Sequence, residues 1–132
     1  MLLVIFSEIC SGSKKTFWMK LKEIASVLNA KVSCGADKLE HEIEMGYSSD
    51  LMSDVLTLDT DNLILITGLV NLQCIRTAEM ADIRAIVFVR NKKATEQMLE
   101  LACENGMCIL ESPYSLFKSS GLLYQAGLTP IY

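Results

Sequence analysis

The sequence predicts an α/β fold: a mostly parallel or mixed central sheet of about five strands with helices on both faces. Two stretches carry that expectation. Leu63 to Thr67 and Ala85 to Val89 are almost wholly apolar, as strands covered on both sides must be, and the segment between them reads as a Gly-containing turn followed by an amphipathic helix. Together they make a βαβ unit from Asp61 to Lys93, the unit from which parallel sheets are built. Composition agrees, since 51% of the 132 residues are hydrophobic, yet no run approaches the roughly 20 apolar residues of a membrane span.

Residues 1–18 differ in pattern from the rest of the chain and are expected to form an N-terminal extension to a single domain over 19–132. The apolar run Leu2 to Phe6 is too short, and lacks the basic flank, for an export signal. Ser11, Gly12, Ser13, Lys14, Lys15 and Thr16 resemble a phosphate loop with the wrong spacing: Ser7 stands where its first Gly belongs, and Ser13 separates Gly12 from Lys14. The extension reads instead as an extra strand, or as the product of an early start with Met19 the natural one.

From Met19 the pattern is regular. MKLKEIASVLNA places Leu21, Ile24, Ala25 and Leu28 on one helical face, and Lys31 to Ser33 reads as a short strand closed by Gly35. Glu42 to Tyr47 alternates Ile43, Met45 and Tyr47, one half-buried strand. In YSSDLMSDVLTL, Ser and Asp side chains are expected to cap a helix whose apolar side is Leu51, Met52, Val55 and Leu56. Asn71 caps the helix carrying Leu72, Ile75, Ala78 and Met80. A helix from about Thr95 to Asn105 stops at Gly106 and leads to the strand Met107 to Leu110. Ser112 as cap, with Pro113 at the first helical position, starts a last helix that runs to Gly127.

Net charge is −4 with Lys and Arg scattered, so no basic, aromatic-interleaved face is offered to nucleic acid. Cys10, Cys34, Cys74, Cys103 and Cys108 are odd in number and form no C-x-x-C pair, which points to reduced thiols and a cytoplasmic protein. Cys74 reads as a small buried side chain, although its place in the first turn of a helix would favour a thiolate. The single His41 has no partner at ligand spacing and reads as a solvent-facing or edge-strand residue. Asp50 and Asp54 are four apart, a spacing that suits Mg²⁺, but capping and solvation explain them as well, and no metal site is expected. Arg76 and Glu79 suit an exposed ion pair. Glu111 and Tyr114 have no His, Ser or second carboxylate to define acid and base roles, so an enzyme is not expected.

In open α/β sheets ligands bind beyond the carboxyl ends of the strands. That rule collects the loops Tyr47 to Asp50, Thr67 to Asn71, Val89 to Lys93 and Glu111 to Tyr114. The candidate ligand-binding residues are Ser49, Asp50, Thr67, Gly68, Asn71, Arg90, Ser112 and Tyr114. Gly68 lets backbone approach a ligand closely, the helix N-terminus beyond it favours an anion, and Arg90 offers a charge-assisted partner to phosphate or carboxylate.

From Met19 to about Leu128 the chain resembles the DRTGG domain family, in particular its short stand-alone members. The matching stretches are Met52 to Leu56 (MSDVL), Leu65 to Leu69 (LITGL), Ile75 to Ile83 (IRTAEMADI), Ile86 to Arg90 (IVFVR) and Ser112 to Phe117 (SPYSLF). The resemblance implies a fold like the N-terminal domain of HPr kinase, without the kinase domain. It also implies a non-catalytic regulatory or ligand-sensing role, since relatives stand beside CBS domains in regulated pyrophosphatases and in long phosphotransacetylases. The expected ligand is an adenine nucleotide or another small phosphorylated anion, and the expected assembly a homodimer. Two alternatives are a pure protein-interaction subunit and an accessory to a redox or kinase-system protein. The redox form of the latter would use Cys74, Cys103 or Cys108 toward an iron–sulfur cluster, for which no cluster motif is present. Where the family signature places Gly-Asp-Arg the chain has Gly68, Leu69 and Val70, and where Thr-Gly-Gly would come next it has Val89, Arg90 and Asn91.

Overall fold

The structure is a computed structural model that describes residues 18–132; apart from Trp18, the extension and its phosphate-loop-like segment lie outside the described residues. Strands β1 (Met19–Lys20) and β3 (Glu42–Ile43) pair as a small antiparallel ribbon. The main sheet has six strands in the order β2-β7-β6-β5-β4-β8. They are β2 (Lys31–Cys34), β4 (Met45–Ser48), β5 (Leu63–Thr67), β6 (Ala85–Phe88), β7 (Cys108–Glu111) and β8 (Thr129–Pro130). All neighbours are parallel except β2, which runs antiparallel to β7. The helices are α1 (Leu21–Val27), α2 (Met52–Val55), α3 (Leu72–Met80), α4 (Glu96–Glu104) and α5 (Leu116–Ala126).

The period-two alternation of the strands divides the core. Leu63, Leu65, Ile86, Phe88 and Ile109 face one side, where α2, α3 and α4 cover them with Met52, Val55, Ile75, Ala78 and Met98. Ile64, Ile66, Ala85, Val87 and Leu110 face the other, covered by Leu21 and Ile24 of α1, Leu28 just past its end, and Leu123 of α5. At about 1.5–3 kcal/mol for each fully buried large side chain, this two-sided burial outweighs any single cap or ion pair. The α/β architecture, the central pair of strands and the helices on both faces are as the sequence predicts, with six strands in place of about five.

Several local expectations are corrected. Met19 and Lys20 are strand, and α1 begins at Leu21. Glu42 to Tyr47 is two strands: Ile43 pairs with Met19, the Glu44 N–H turns to the Asn62 carbonyl (2.9 Å), and the chain then joins β5. Helix α2 is a single turn without a side-chain cap, and Leu51 and Leu56 are exposed. Met80 is exposed as well, because helical period places it with Arg76 rather than with Ile75 and Ala78. Arg76 and Glu79 are exposed but are not among the ion pairs of the described residues. Ser112 does not cap α5. Its hydroxyl is buried and donates to the Leu28 carbonyl (2.8 Å), and Ser115 caps the helix by accepting from the Lys118 N–H (3.1 Å).

The cysteines also depart from the expectation of reduced thiols. Cys34, at the end of β2, and Cys103, in the last turn of α4, are joined by a disulfide with Cα atoms 6.2 Å apart. They stand 69 positions apart in the chain, so no local spacing announced the pair. Cys74 and Cys108 are free and buried, and burial pushes their thiols up to about 12 and about 11. Cys74 is thus the small buried side chain expected.

Gly35, next to Cys34, adopts φ +81°, and a Cβ there would stand 2.6 Å from the Met107 carbonyl oxygen and 2.8 Å from the Cys108 Cα. Both obstacles are backbone, so neither yields easily. Gly35→Ala is expected to lower unfolding free energy by about 1–3 kcal/mol, read from the urea midpoint at unchanged slope; wild-type stability in the variant would contradict this role for the glycine.

Candidate functional site

Parallel pairing brings the carboxyl ends of four strands to one edge. Thr67 of β5 lies level with Phe88 of β6, which lies level with Glu111 of β7, and Ser48 of β4 is in register with Ile66. The loops leaving these strands therefore meet above the sheet, and Gly68 is where they converge.

The first contact on Gly68 comes from the β4–α2 loop. The Gly68 N–H donates to Oδ1 of Asp50 (2.7 Å), and the buried Thr67 hydroxyl donates to the same oxygen (2.9 Å) while accepting from the Leu69 N–H (3.1 Å). The Gly68 N–H bond holds the Asp50 carboxyl below its ordinary value, with the Thr67 hydroxyl and the charges of Arg90 and Lys92 acting in the same sense against partial burial. A carboxylate so held is a poor proton carrier near neutral pH. Asp50 therefore does not cap α2, and it no longer shares a helix face with Asp54.

The second contact comes from the loop after β6. Arg90 and Asn91 are both left-handed, at φ 63° and 59°, a conformation that costs a residue such as Arg of order 1–2 kcal/mol. It persists because both N–H groups are fixed: Arg90 donates to the Tyr114 carbonyl (2.7 Å) and Asn91 to the Ser112 carbonyl (2.9 Å). The turn lays the Arg90 guanidinium against Gly68, with a terminal nitrogen 2.9 Å and Nε 3.2 Å from where a Cβ would stand. A side chain at Gly68 would displace the Arg90 guanidinium, and the space expected to admit a ligand's close approach holds Arg90. Lys92, the third participant, donates from Nζ to the Gly68 carbonyl (2.8 Å).

Of the sequence-predicted residues, Asp50, Thr67, Gly68 and Arg90 form one cluster. The others bond to backbone around it. Ser49 accepts from the Leu51 N–H (3.0 Å), Asn71 caps α3 by accepting from the Cys74 N–H (2.9 Å), and Ser112 ties α1 to the loop after β7. Tyr114 contributes its carbonyl to Arg90, and its ring lies under Lys118 Nζ at 4.0 Å. Lys92 is not among the candidate residues of the sequence, and only its position in the loop after β6 points to it. Also unforeseen is an apolar groove of about 250 Å³ at the far edge of the sheet, lined by Tyr47, Ile66, Leu123, Tyr124, Leu128 and Tyr132.

Among the described residues the cysteines do not gather: Cys74 and Cys108 lie on opposite faces of the sheet, and Cys103 is paired with Cys34. Among the described residues no group of three or more His, Cys, Asp or Glu is placed to hold a metal ion. No described helix is long and apolar enough to cross a membrane.

No family profile matches the chain, and no curated protein does. Among solved structures it superposes on the CBS and DRTGG domains of the regulatory region of Clostridium perfringens pyrophosphatase, determined in complex with its activator, diadenosine tetraphosphate. The TM-score is 0.68 at 15% identity, over 81% of this chain and 46% of the other. The likeness is one of fold. The chain spans about half the length of that regulatory region, a CBS–DRTGG assembly whose architecture it shares in part.

Asp50 fastens the β4–α2 loop to β5, and its sign follows from the lowered pKa. Its stabilisation is present above the ordinary carboxyl value of 3.8 and is lost as pH falls through the lower folded value. Asp50→Ala is expected to cost about 1 kcal/mol at neutral pH, with the gap to wild type in urea denaturation narrowing below pH 3.8; a gap constant with pH would refute this role for the carboxylate.

Proposed function

We propose that the chain is a non-catalytic regulatory module of DRTGG type that binds a small phosphorylated ligand, an adenine nucleotide first among them, at the carboxyl ends of β5 and β6. The observation that carries this reading is the convergence of Arg90 and Lys92 on Gly68 through a turn held in a costly left-handed conformation. Asp50, the carboxylate bonded to Gly68, already accepts two hydrogen bonds, so the cations keep capacity for an anion's oxygens. The pyrophosphatase regulatory region, solved with an adenine dinucleotide activator, adds support from shared architecture. The module is read as a cytoplasmic homodimer, for which exposed Phe117 and Tyr124 on α5, with Tyr132, supply apolar surface; light scattering on the eluting protein tests the dimer separately.

Calorimetric titration with AMP, ATP and diadenosine tetraphosphate tests the ligand. Binding by wild type is expected for at least one, weakened tenfold or more in Arg90→Ala, about the contribution of one charge-assisted hydrogen bond (roughly 1.5–3 kcal/mol). Gly68→Val, which displaces the guanidinium, is expected to weaken it similarly. No heat with any of the three, or equal affinity in both variants, overturns the reading.

A further inference from the structure

We propose that Cys34 and Cys103 form a reversible redox site, at which a low-molecular-weight disulfide of the glutathione class writes its oxidation state onto the contact between α4 and β2. Three observations carry this. The Cα separation of 6.2 Å falls within the roughly 4.4–6.8 Å that a disulfide spans, so the bond closes and opens with the backbone in place. The two ends differ in access: Cys103 is exposed in the last turn of α4, whereas Cys34 is only 6% exposed beneath it. The reduced state is provided for as well, because the Cys34 sulfur lies 3.5 Å from the Met107 carbonyl oxygen and 4.0 Å from that of Leu99, acceptors for its thiol hydrogen.

The access difference sets the order of events. The Cys103 thiolate attacks one sulfur of oxidised glutathione, forming a mixed disulfide on Cys103 and releasing one glutathione thiolate. Cys34, its proton passed to solvent, then attacks the Cys103 sulfur, forms the Cys34–Cys103 bond and releases the second glutathione thiolate. Two protein thiols are oxidised by two electrons, and one glutathione disulfide is reduced to two thiols. Reduction is the reverse, entered by glutathione thiolate at the accessible Cys103 sulfur. Cys74 and Cys108 stay out of the exchange, being buried on helix and strand with their thiols held protonated.

The test is a redox titration of the full chain in glutathione buffers of graded ratio, quenched in acid, alkylated and mapped by peptide mass. Cys34 and Cys103 are expected to lose and regain alkylation together as the ratio is changed and restored, with Cys74 and Cys108 alkylated after unfolding at every ratio. In Cys34→Ser a glutathione adduct should accumulate on Cys103, while in Cys103→Ser Cys34 should remain an unmodified thiol. A pair that stays bonded under full reduction, a pair that never bonds, a Cys103 bond to Cys10, or an adduct formed as readily on Cys34 as on Cys103 would each overturn the proposal. The wild-type titration alone decides reversibility if a variant fails to fold.

Discussion

The parallel alignment of β4, β5, β6 and β7 is the constraint on which the rest depends. Because the register runs straight across, Leu65, Ile86 and Ile109 lie side by side on one face and Ile66, Val87 and Leu110 on the other. A shift of one residue in any strand would turn its apolar set to the wrong cluster, so burial fixes the pairing and the pairing fixes which loops meet. The strand-end cluster is a consequence of that register: Asp50, Gly68, Arg90 and Lys92 come from three loops and touch only because their strands end level.

The same constraint explains which features were legible in the sequence. The continuous apolar runs of β5 and β6, the cap at Asn71 and the stops at Gly106 and Gly127 are local signals, and each reappears in place. Two of the failures share a cause: a polar side chain expected to serve its own helix serves a distant element instead. Asp50 bonds to Gly68 across the sheet end, and Ser112 bonds to Leu28 beyond α1. Single-sequence reasoning sees the nearest free N–H groups, whereas the fold offers these side chains partners 18 and 84 positions away. The split of Glu42 to Tyr47 is of the same kind, since Ile43 and Met45 answer to different sheets.

The candidate site was half legible. The rule of strand carboxyl ends named the right loops, and Asp50, Thr67, Gly68 and Arg90 lie together as that rule implies. It did not show that the Gly68 peptide is engaged at both its N–H and its carbonyl, or that the Arg90 guanidinium rests on it. The carbonyl and guanidinium contacts depend on two consecutive left-handed residues, of which Asn91 is a type that tolerates the conformation and Arg90 is not. The Cys34–Cys103 pair was invisible for a simpler reason, because two elements far apart in the chain must pack before their sulfurs meet.

The strand that ends the sheet, β8, bears on how the molecule can grow. It is two residues long and contains Pro130, which has no N–H to give to a neighbour. An incoming strand would find almost no row of donors and acceptors to continue, so this margin resists ladder extension and the runaway stacking to which open sheets are prone. Association on this side is left to side chains on the helical face, where size and shape can select a partner, rather than to backbone, which pairs with any extended chain.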